Sequence, residues 1–339
     1  MGRRHCRALV TAALRLATHN VWGVRGDWEQ RLQILRRGYE QLAADVVTLQ
    51  ETIVDDDVDQ ARSILGDGYN LVQQRSREPD GQGVTIASRW PVGDVVECDL
   101  DVTPRTREFA CTTLIAEVLA PEPLARLWIA NHLPDYQLDH EHERCLQAVV
   151  AAHTLDELAS ARPGHVIVAG DFDADPESAS VRFWTGRQPL EGRSVCFRDA
   201  WESAHPAEAG GTFVPENTYS VDWDWPYRRI DYVLVRCGPH GGPTLSIDDC
   251  RRTFDAPDTT ASDHYGVVAD LSVPRQRSVK TISCAASSAC DRRPPLGTAA
   301  DRARCRARGT ARRHGRAVVS TSASQRRASS TSTRLVSTV

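Results

Sequence analysis

The sequence predicts an α/β protein in which two mixed β-sheets pack face to face and helices cover their outer faces. Three observations lead there. Ten strand-like runs recur between residues 14 and 273, while only two long stretches carry a helical period. Many of the runs alternate apolar and polar residues and are rich in Val, Ile and Thr, so each strand has two different faces; a fully parallel sheet reads instead as unbroken apolar runs. Many such strands with few helices bury their apolar faces as two stacked sheets with helices outside.

The strand runs, in order, are LRLATHNVW (14–22), DVVTLQE (45–51), YNLVQQ (69–74), GVTIAS (83–88), DVVECDL (94–100), EFACTTLIAEVL (108–119), RLWIANHL (126–133), HVIVAGDF (165–172), RIDYVLVRC (229–237) and HYGVVADLSV (264–273). Helical spacing sets Trp28, Leu32, Leu35, Tyr39 and Leu42 on one face of 28–44. It does the same for Cys145, Ala148, Val149, Ala152, Leu155 and Leu158 in 141–158, with Asp139 a candidate cap. Shorter helices are expected at 57–65 and 177–184. After Pro274 the chain turns to Ser, Thr, Ala and Arg, loses its aromatics and keeps no period, the composition of a disordered segment. The expected organisation is therefore a flexible extension over 1–13, one domain over 14–274 and a basic tail over 275–339.

The 339 residues are 41% hydrophobic and 25% charged, ordinary for a soluble globule. No stretch approaches the roughly 18 to 20 apolar residues of a membrane helix. The tail holds 15 Arg/Lys against 2 Asp/Glu, a net of +13, so the body carries −17. An acidic body argues against sequence-blind grip on nucleic acid, although the tail offers the cations such binding uses. Ten cysteines without a CxxC pair suggest neither a zinc ribbon nor a thioredoxin site and fit reduced cytosolic thiols. The start, MGRRHCRALVTAAL, is basic and then apolar, but Arg7 and Arg15 bracket an apolar run of only seven residues, short for a signal segment. A monomeric, cytoplasmic protein without an integral membrane segment is expected.

Acidic and amide residues cluster at strand ends: Asn20 in THNVWG, Glu51 in VVTLQET, Asp171 and Asp173 in VIVAGDFDADP, Asp231 in RRIDYVLV, and Asp263 with His264 in ASDHYGV; His132 ends WIANHL. Singly, each reads as a turn residue, cap or satisfied side chain. Strand ends at one edge of a sandwich, however, converge on one cleft. Convergent carboxylates there bind a hard divalent cation, and a neighbouring histidine can move protons.

In the order THNVWG, LQE, GVTIASRWP, ANH, GDFDADP, RRIDYVLV and SDHYGV, these motifs resemble the endonuclease/exonuclease/phosphatase superfamily, relatives of deoxyribonuclease I, across about residues 14–273. The resemblance implies a four-layer α/β/β/α sandwich and hydrolysis of a phosphodiester or phosphomonoester dependent on Mg²⁺, with Mn²⁺ as a substitute. By the same resemblance Glu51 is the principal metal ligand, Asn20 its neutral neighbour, which binds metal or phosphate without adding charge, and Asp263 a further ligand. His264 is the proton-transfer or phosphate-stabilising histidine, Asp231 the carboxylate that orients it, Asp171 the carboxylate that positions the attacking water, and His132 a second histidine donating to a phosphate oxygen. The implied partner is a phosphate ester: a small molecule, a lipid headgroup or a nucleic acid. Nuclease action on DNA or RNA is one alternative, and a catalytically silent binding module on the same scaffold is another.

Asp173 departs from the pattern, since the family has Asn there. An amide can donate to a phosphate oxygen and an ionised carboxylate cannot. Asp173 must bind cation, be protonated or turn away, and a hydrated cleft favours cation. Trp223, Trp225 and Tyr227 can stack on substrate or simply fold over the sandwich edge; Arg107 and Arg229 can meet phosphate or form ion pairs. DFDADPESASVR is no EF-hand, because Pro176 stands where Gly is needed and Arg182 where Glu belongs. HEHER (140–144) lacks the HExxH spacing, and no P-loop, GxGxxG or GxSxG motif occurs.

Overall fold

A computed structural model describes residues 13–220, 226–239 and 241–274, all within the first of two units of the chain, Met1–Ser278. The expected extension before Ala13, the tail 275–339, and Trp223 and Trp225 lie outside the described residues. The elements are β1 (Ala13–Asn20), α1 (Trp28–Leu42), β2 (Val46–Ile53), α2 (Gln60–Leu65), β3 (Asn70–Gln73), β4 (Gln82–Ser88), β5 (Val92–Asp99), β6 (Thr112–Leu119), β7 (Arg126–Leu133), α3 (Glu141–Ala161), β8 (His165–Asp171), α4 (Ala179–Trp184), β9 (Phe197–Asp199), α5 (Ala200–Ala204), β10 (Asp231–Arg236), β11 (Ser246–Thr253) and β12 (Gly266–Ser272).

The strands form two six-stranded sheets, ordered β11-β12-β1-β2-β4-β3 and β5-β6-β7-β8-β10-β9. Each is mixed. The pairs β1–β2 and β7–β8 are parallel, with α1 and α3 as their crossovers, and the other ladders are antiparallel. Three apolar clusters show the layering. Leu14, Leu16, Val46 and Ile86 of the first sheet meet Leu114, Ile129, Ile167 and Val233 of the second. Val47 and Leu49, on the opposite face of the first sheet, pack with Leu35 and Tyr39 of α1 and Ile64 of α2. Trp128, Val166 and Leu234, on the opposite face of the second, pack with Ala148 and Leu155 of α3 and Phe183 of α4. The result is the expected α/β/β/α sandwich. Period-two alternation produces it, since successive residues of each central strand feed different clusters.

Several expectations need correction. β1 opens at Ala13, one residue early. The run 108–119 begins as a 3₁₀ turn over Pro104–Glu108, and its strand starts only at Thr112. Asp139 does not cap α3; His140 holds that position, and Asp139 pairs with Arg105 at 2.7 Å. β9, β11 and α5 were not expected. β11 reads SIDDCRRT, the charged pattern of a sheet edge rather than of a half-buried strand. Within α1, Arg31 lies on the buried stripe with Leu35 and Tyr39. Among the described residues no helix is long and apolar enough to cross a membrane.

Candidate functional site

The two parallel pairs end at the same edge of the sandwich, and the side chains there continue the rows of the inter-sheet core. On β1 the row Leu14, Leu16, Thr18 runs on to Asn20; on β8, Ile167 and Ala169 run on to Asp171. Asp231 opens β10 directly opposite Asp171 and leads the row of Val233 and Val235. The residue before Asp171 must be glycine: Gly170 has φ +149°, and a Cβ there would stand 2.1 Å from the His132 carbonyl oxygen. Glu51 would alternate away from the cleft. A register shift in β2 between Leu49 and Thr52, with Glu51 itself in the left-handed region at φ 56°, turns it inward.

These groups form a chain of contacts. Asn20 Nδ2 donates to Glu51 Oε1 at 2.9 Å and to Asp171 Oδ2 at 3.0 Å, while Asn20 Oδ1 accepts from the Trp22 amide at 3.0 Å. Only this amide orientation gives each partner a complementary group. Asn20 thus bridges two carboxylates instead of offering them its oxygen. Asp171 Oδ1 accepts from the Asp173 amide at 3.0 Å, and Asp171 Oδ2 lies 3.7 Å from His264 Nε2. His264 Nδ1 lies 3.0 Å from Asp231 Oδ2. Among the described residues, Asp171, Asp231 and His264 are the group whose ligand atoms lie within 4.8 Å of one another. Ser262 fixes the opposite lip: its hydroxyl lies 2.7 Å from the Asn20 carbonyl oxygen and 3.2 Å from Asp263 Oδ1, and it accepts from the His264 amide.

Electrostatics follow from burying so many charges together. Burial opposes the ionisation of His264, but Asp231, Asp171 and Asp263 outweigh it and raise the imidazole well above its ordinary range. Burial also lifts Asp231, with Asp171 adding to the rise and His264 opposing it. Asp263 is pushed up to about 6, first by burial and then by Glu51 and Asp171 against His264. Asp173 is raised well above the carboxylate range by burial and by Asp171, opposed by Arg228.

The donor set fits a divalent cation. Glu51, Asp171 and Asp263 line one cleft, where burial together with Glu51 and Asp171 raises Asp263, a strain that a divalent cation would relieve, and Asp231 Oδ1 is buried without a hydrogen-bond partner. Glu51 and Asp263 would hold the cation, with Asn20 steering Glu51; Arg25 Nη1 now pairs with Glu51 Oε2 at 2.7 Å.

The cleft around these residues has a volume of about 1040 Å³, and Glu51, Asp171, Asp173, Asp263 and His264 all line it. Other expected residues lie elsewhere. His132 shares the outer face of Trp128 and Ala130: its Nδ1 is 2.7 Å from Thr113 Oγ1, and its ring stands edge-on to Phe172 and Trp184 at 4.8 and 5.8 Å. Burial lowers it to about 3. Arg107 is exposed, 3.5 Å from Asp101. Arg229 turns inward to Asp199 at 2.7 Å and lies over the Tyr232 ring. Tyr227 accepts from the Gly211 amide at 2.6 Å and is not among the residues lining the cleft.

Arg228, Phe213, Ile230, Trp22 and Tyr136 line the cleft in their place. Arg228 Nη2 donates to the Asp173 carbonyl at 2.8 Å, with Nη1 4.0 Å from Asp173 Oδ1. β10 begins only at Asp231, so strand alternation could not decide between Arg228 and Arg229. Asn131 was also missed. Its Oδ1 accepts from Gln50 Nε2 at 2.7 Å and its Nδ2 donates to the Leu49 and Thr85 carbonyls, tying the two sheets behind the cleft.

The sequence matches the Endonuclease/Exonuclease/phosphatase family over residues 17–264. The chain belongs to that family. Its members are phosphoesterases and nucleases, hydrolases acting on phosphoester bonds. Solved structures of low identity share the fold. An endonuclease/exonuclease/phosphatase from Bacteroides vulgatus aligns with TM-score 0.62 and 18% identity over 78% of this chain and 100% of its own. D. rerio TDP2 complexed with single strand DNA product gives 0.60 and 21% over 77% and 100%. The human nocturnin catalytic domain with bound sulfate anion gives 0.60 and 19% over 78% and 97%. No curated protein matches the chain.

Proposed function

We propose that the chain is a metal-dependent phosphoesterase that hydrolyses a phosphodiester or phosphomonoester by in-line attack of water, with Mg²⁺ as its cation and Mn²⁺ as a substitute. One observation carries this reading: the Asp231–His264 pair stands 3.7 Å from Asp171, which Asn20 joins to Glu51. A bound cation would supply charge to a phosphoryl oxygen and to the leaving oxygen. The protein's own groups do the rest. Asp171, steadied by Asn20 and the Asp173 amide, orients the water and takes its proton as the water oxygen bonds to phosphorus and the ester P–O bond breaks. His264, kept protonated by the carboxylates around it, sets positive charge beside the equatorial oxygens, and Asp231 fixes its ring. Arg228 offers a second cation at the same cleft.

A catalytically silent binding module is disfavoured, because such a protein has no need to keep this dyad and these carboxylates buried together. Nuclease action remains the alternative substrate reading, supported by the DNA product held by D. rerio TDP2. We also infer one catalytic domain over residues 14–274, acting as a monomer in the cytoplasm. Six cysteines among the described residues are free thiols, which suits a reducing compartment. The deciding experiment is hydrolysis with Mg²⁺ or Mn²⁺ of a bis-aryl phosphodiester, an aryl phosphomonoester, plasmid DNA, RNA and a phosphatidyl substrate. Chelator-sensitive turnover of at least one is expected; inertness toward all five would sink the reading.

A further inference from the structure

Beside its carboxylates the cleft is lined by apolar side chains. Phe109, Tyr136, Leu138, Trp22, Phe213 and Ile230 all line it, and the Phe213 ring stands edge-on to His264 at 5.0 Å. Tyr136 is 47% exposed and Leu138 61%. A lone exposed apolar residue needs no explanation, but several lining one cavity do. Nor does a slack loop carry them. Arg144 of α3, itself buried, donates from Nη1 to the carbonyls of Asp135 and Gln137 at 3.0 and 2.6 Å. Gln147 Oε1 accepts from the Asp135 amide at 3.0 Å. The backbone on both sides of Tyr136 is thus tied to the helix, and the Tyr136 ring meets Phe109 edge-on at 5.4 Å. Folding has already met the ordering cost that would otherwise weaken a ligand contact.

Charge narrows the ligand. Glu78 and Asp80 line the same cleft in addition to the central carboxylates, Asp139, which also lines it, pairs with Arg105, and the cations Arg25 and Arg228 lie against Glu51 and Asp173. Such a cleft repels a run of phosphates and tolerates one.

We propose that this wall binds the apolar ester group of a phosphodiester carrying a single negative charge, and that Tyr136 and Leu138 set the preference for an aromatic or alkyl group there. The inference rests on the phosphoesterase reading above and names its substrate class.

The test uses the full chain with Mg²⁺ and two diesters sharing a p-nitrophenolate leaving group, one with methyl and one with benzyl as the second ester. The benzyl diester should exceed the methyl diester in kcat/KM by about tenfold, the effect of burying roughly 60 Å² of apolar surface. In the Tyr136→Ala/Leu138→Ala double variant the ratio should fall to within about twofold. A ratio that survives in the variant, or faster cleavage of a single-stranded oligonucleotide than of the benzyl diester, would overturn the proposal. A second arm needs no turnover: calorimetric binding of benzyl methylphosphonate against methyl methylphosphonate. The wild type should hold the benzyl ester about tenfold more tightly, and equal affinities would overturn the proposal even if both diesters are hydrolysed. Absence of hydrolysis of either diester strikes instead at the phosphoesterase reading, and the binding arm still decides the wall.

Discussion

His264 Nδ1 lies 3.0 Å from Asp231 Oδ2, with the two side chains only 7% and 0% exposed. The contact fixes the ring so that Nε2 faces Asp171, and Asp231 is the largest of the charges that keep the imidazole protonated. His264→Ala and Asp231→Asn should each lower kcat by roughly 10² or more. The double variant should cost less than the product of the singles, because the two act as a unit. Asp231→Asn removes a charge that raises the imidazole, so His264 should lose its proton at lower pH. The alkaline limb of the pH–rate profile should then move downward in pH. An unmoved alkaline limb would show that Asp231 does not govern the ionisation of His264.

Glu51 is the outermost member of the carboxylate chain, and Arg25 stands against it at 2.7 Å where a cation would compete. Activity should vanish with chelator and return with Mg²⁺ or Mn²⁺. Glu51→Gln should raise the Mg²⁺ concentration for half-maximal rate by about tenfold or more. The rise in Tm that Mg²⁺ gives the wild type should shrink in the variant. Equal Mg²⁺ stabilisation of both proteins would remove Glu51 from the ligand set.

Asp173 can be assigned differently once its surroundings are known. The sequence alone favours a cation as the relief for its charge. In the structure its side chain is 13% exposed, its backbone is left-handed at φ 47°, and burial beside Asp171 raises it well above the carboxylate range. Protonation, not cation binding, is the relief these surroundings favour, and Asn tolerates this backbone region as well as Asp does. A carboxyl raised in the folded state stabilises at low pH, and that contribution is lost as pH climbs through the folded value. Asp173→Asn should keep most activity, raise Tm at neutral pH and above, and leave Mg²⁺ dependence unchanged. A higher Mg²⁺ requirement in the variant would restore the cation reading.

Two histidines set the opposite limb. His19, stacked on Phe254 at 4.9 Å, and His132 are both lowered to about 3 by burial. Free histidine takes a proton near 6.5, so between about 6.5 and 3 the unfolded chain binds protons that the folded chain does not. Stability should fall as pH drops through that window, by up to about 1.4 kcal/mol per pH unit for each histidine. Urea unfolding across pH 7 to 4 measures the slope, and His19→Gln and His132→Gln should each flatten it. A slope that neither change alters would assign the acid lability to the carboxylates.

Much of this was legible in the residues, and the failures share a cause. Runs with clear alternation, such as RLWIANHL, became strands with their expected ends. Parity along a strand is readable only from an anchored core residue. Leu127 and Ile129 fill the inter-sheet core, so Asn131 faces inward and His132 must face out, where the motif alone gave no orientation. Parity alone would turn Glu51 outward, where a bulge brings it into the cleft that its motif implies, and it cannot choose between Arg228 and Arg229, which precede the strand. Arg31 was overlooked because a charged residue on an apolar stripe reads as exposed.

Arg31, by its burial, has consequences for two loops at the cleft. It is fully buried and burial lowers it only to about 10, so it remains charged at neutral pH. Its partners are backbone carbonyls: Nε donates to Ala261 at 2.8 Å, Nη1 to Arg25 at 2.6 Å and Gly23 at 3.3 Å, and Nη2 to Val21. The guanidinium also lies 5.0 Å from the Trp22 ring centroid. One side chain thereby ties the loop bearing Trp22 and Arg25 to the loop that reaches Asp263 two residues after Ala261. Arg31→Met would fill the volume but leave several buried carbonyls without donors, at about 1–3 kcal/mol each. Lysine offers three donors from one point and cannot span carbonyls held apart by a planar fork. Both Arg31→Met and Arg31→Lys should therefore lower Tm by several degrees. At temperatures where each stays folded, both should also raise the Mg²⁺ concentration needed for activity, because Asp263 loses its alignment with Glu51. Loss of stability with unchanged Mg²⁺ dependence would confine Arg31 to the scaffold.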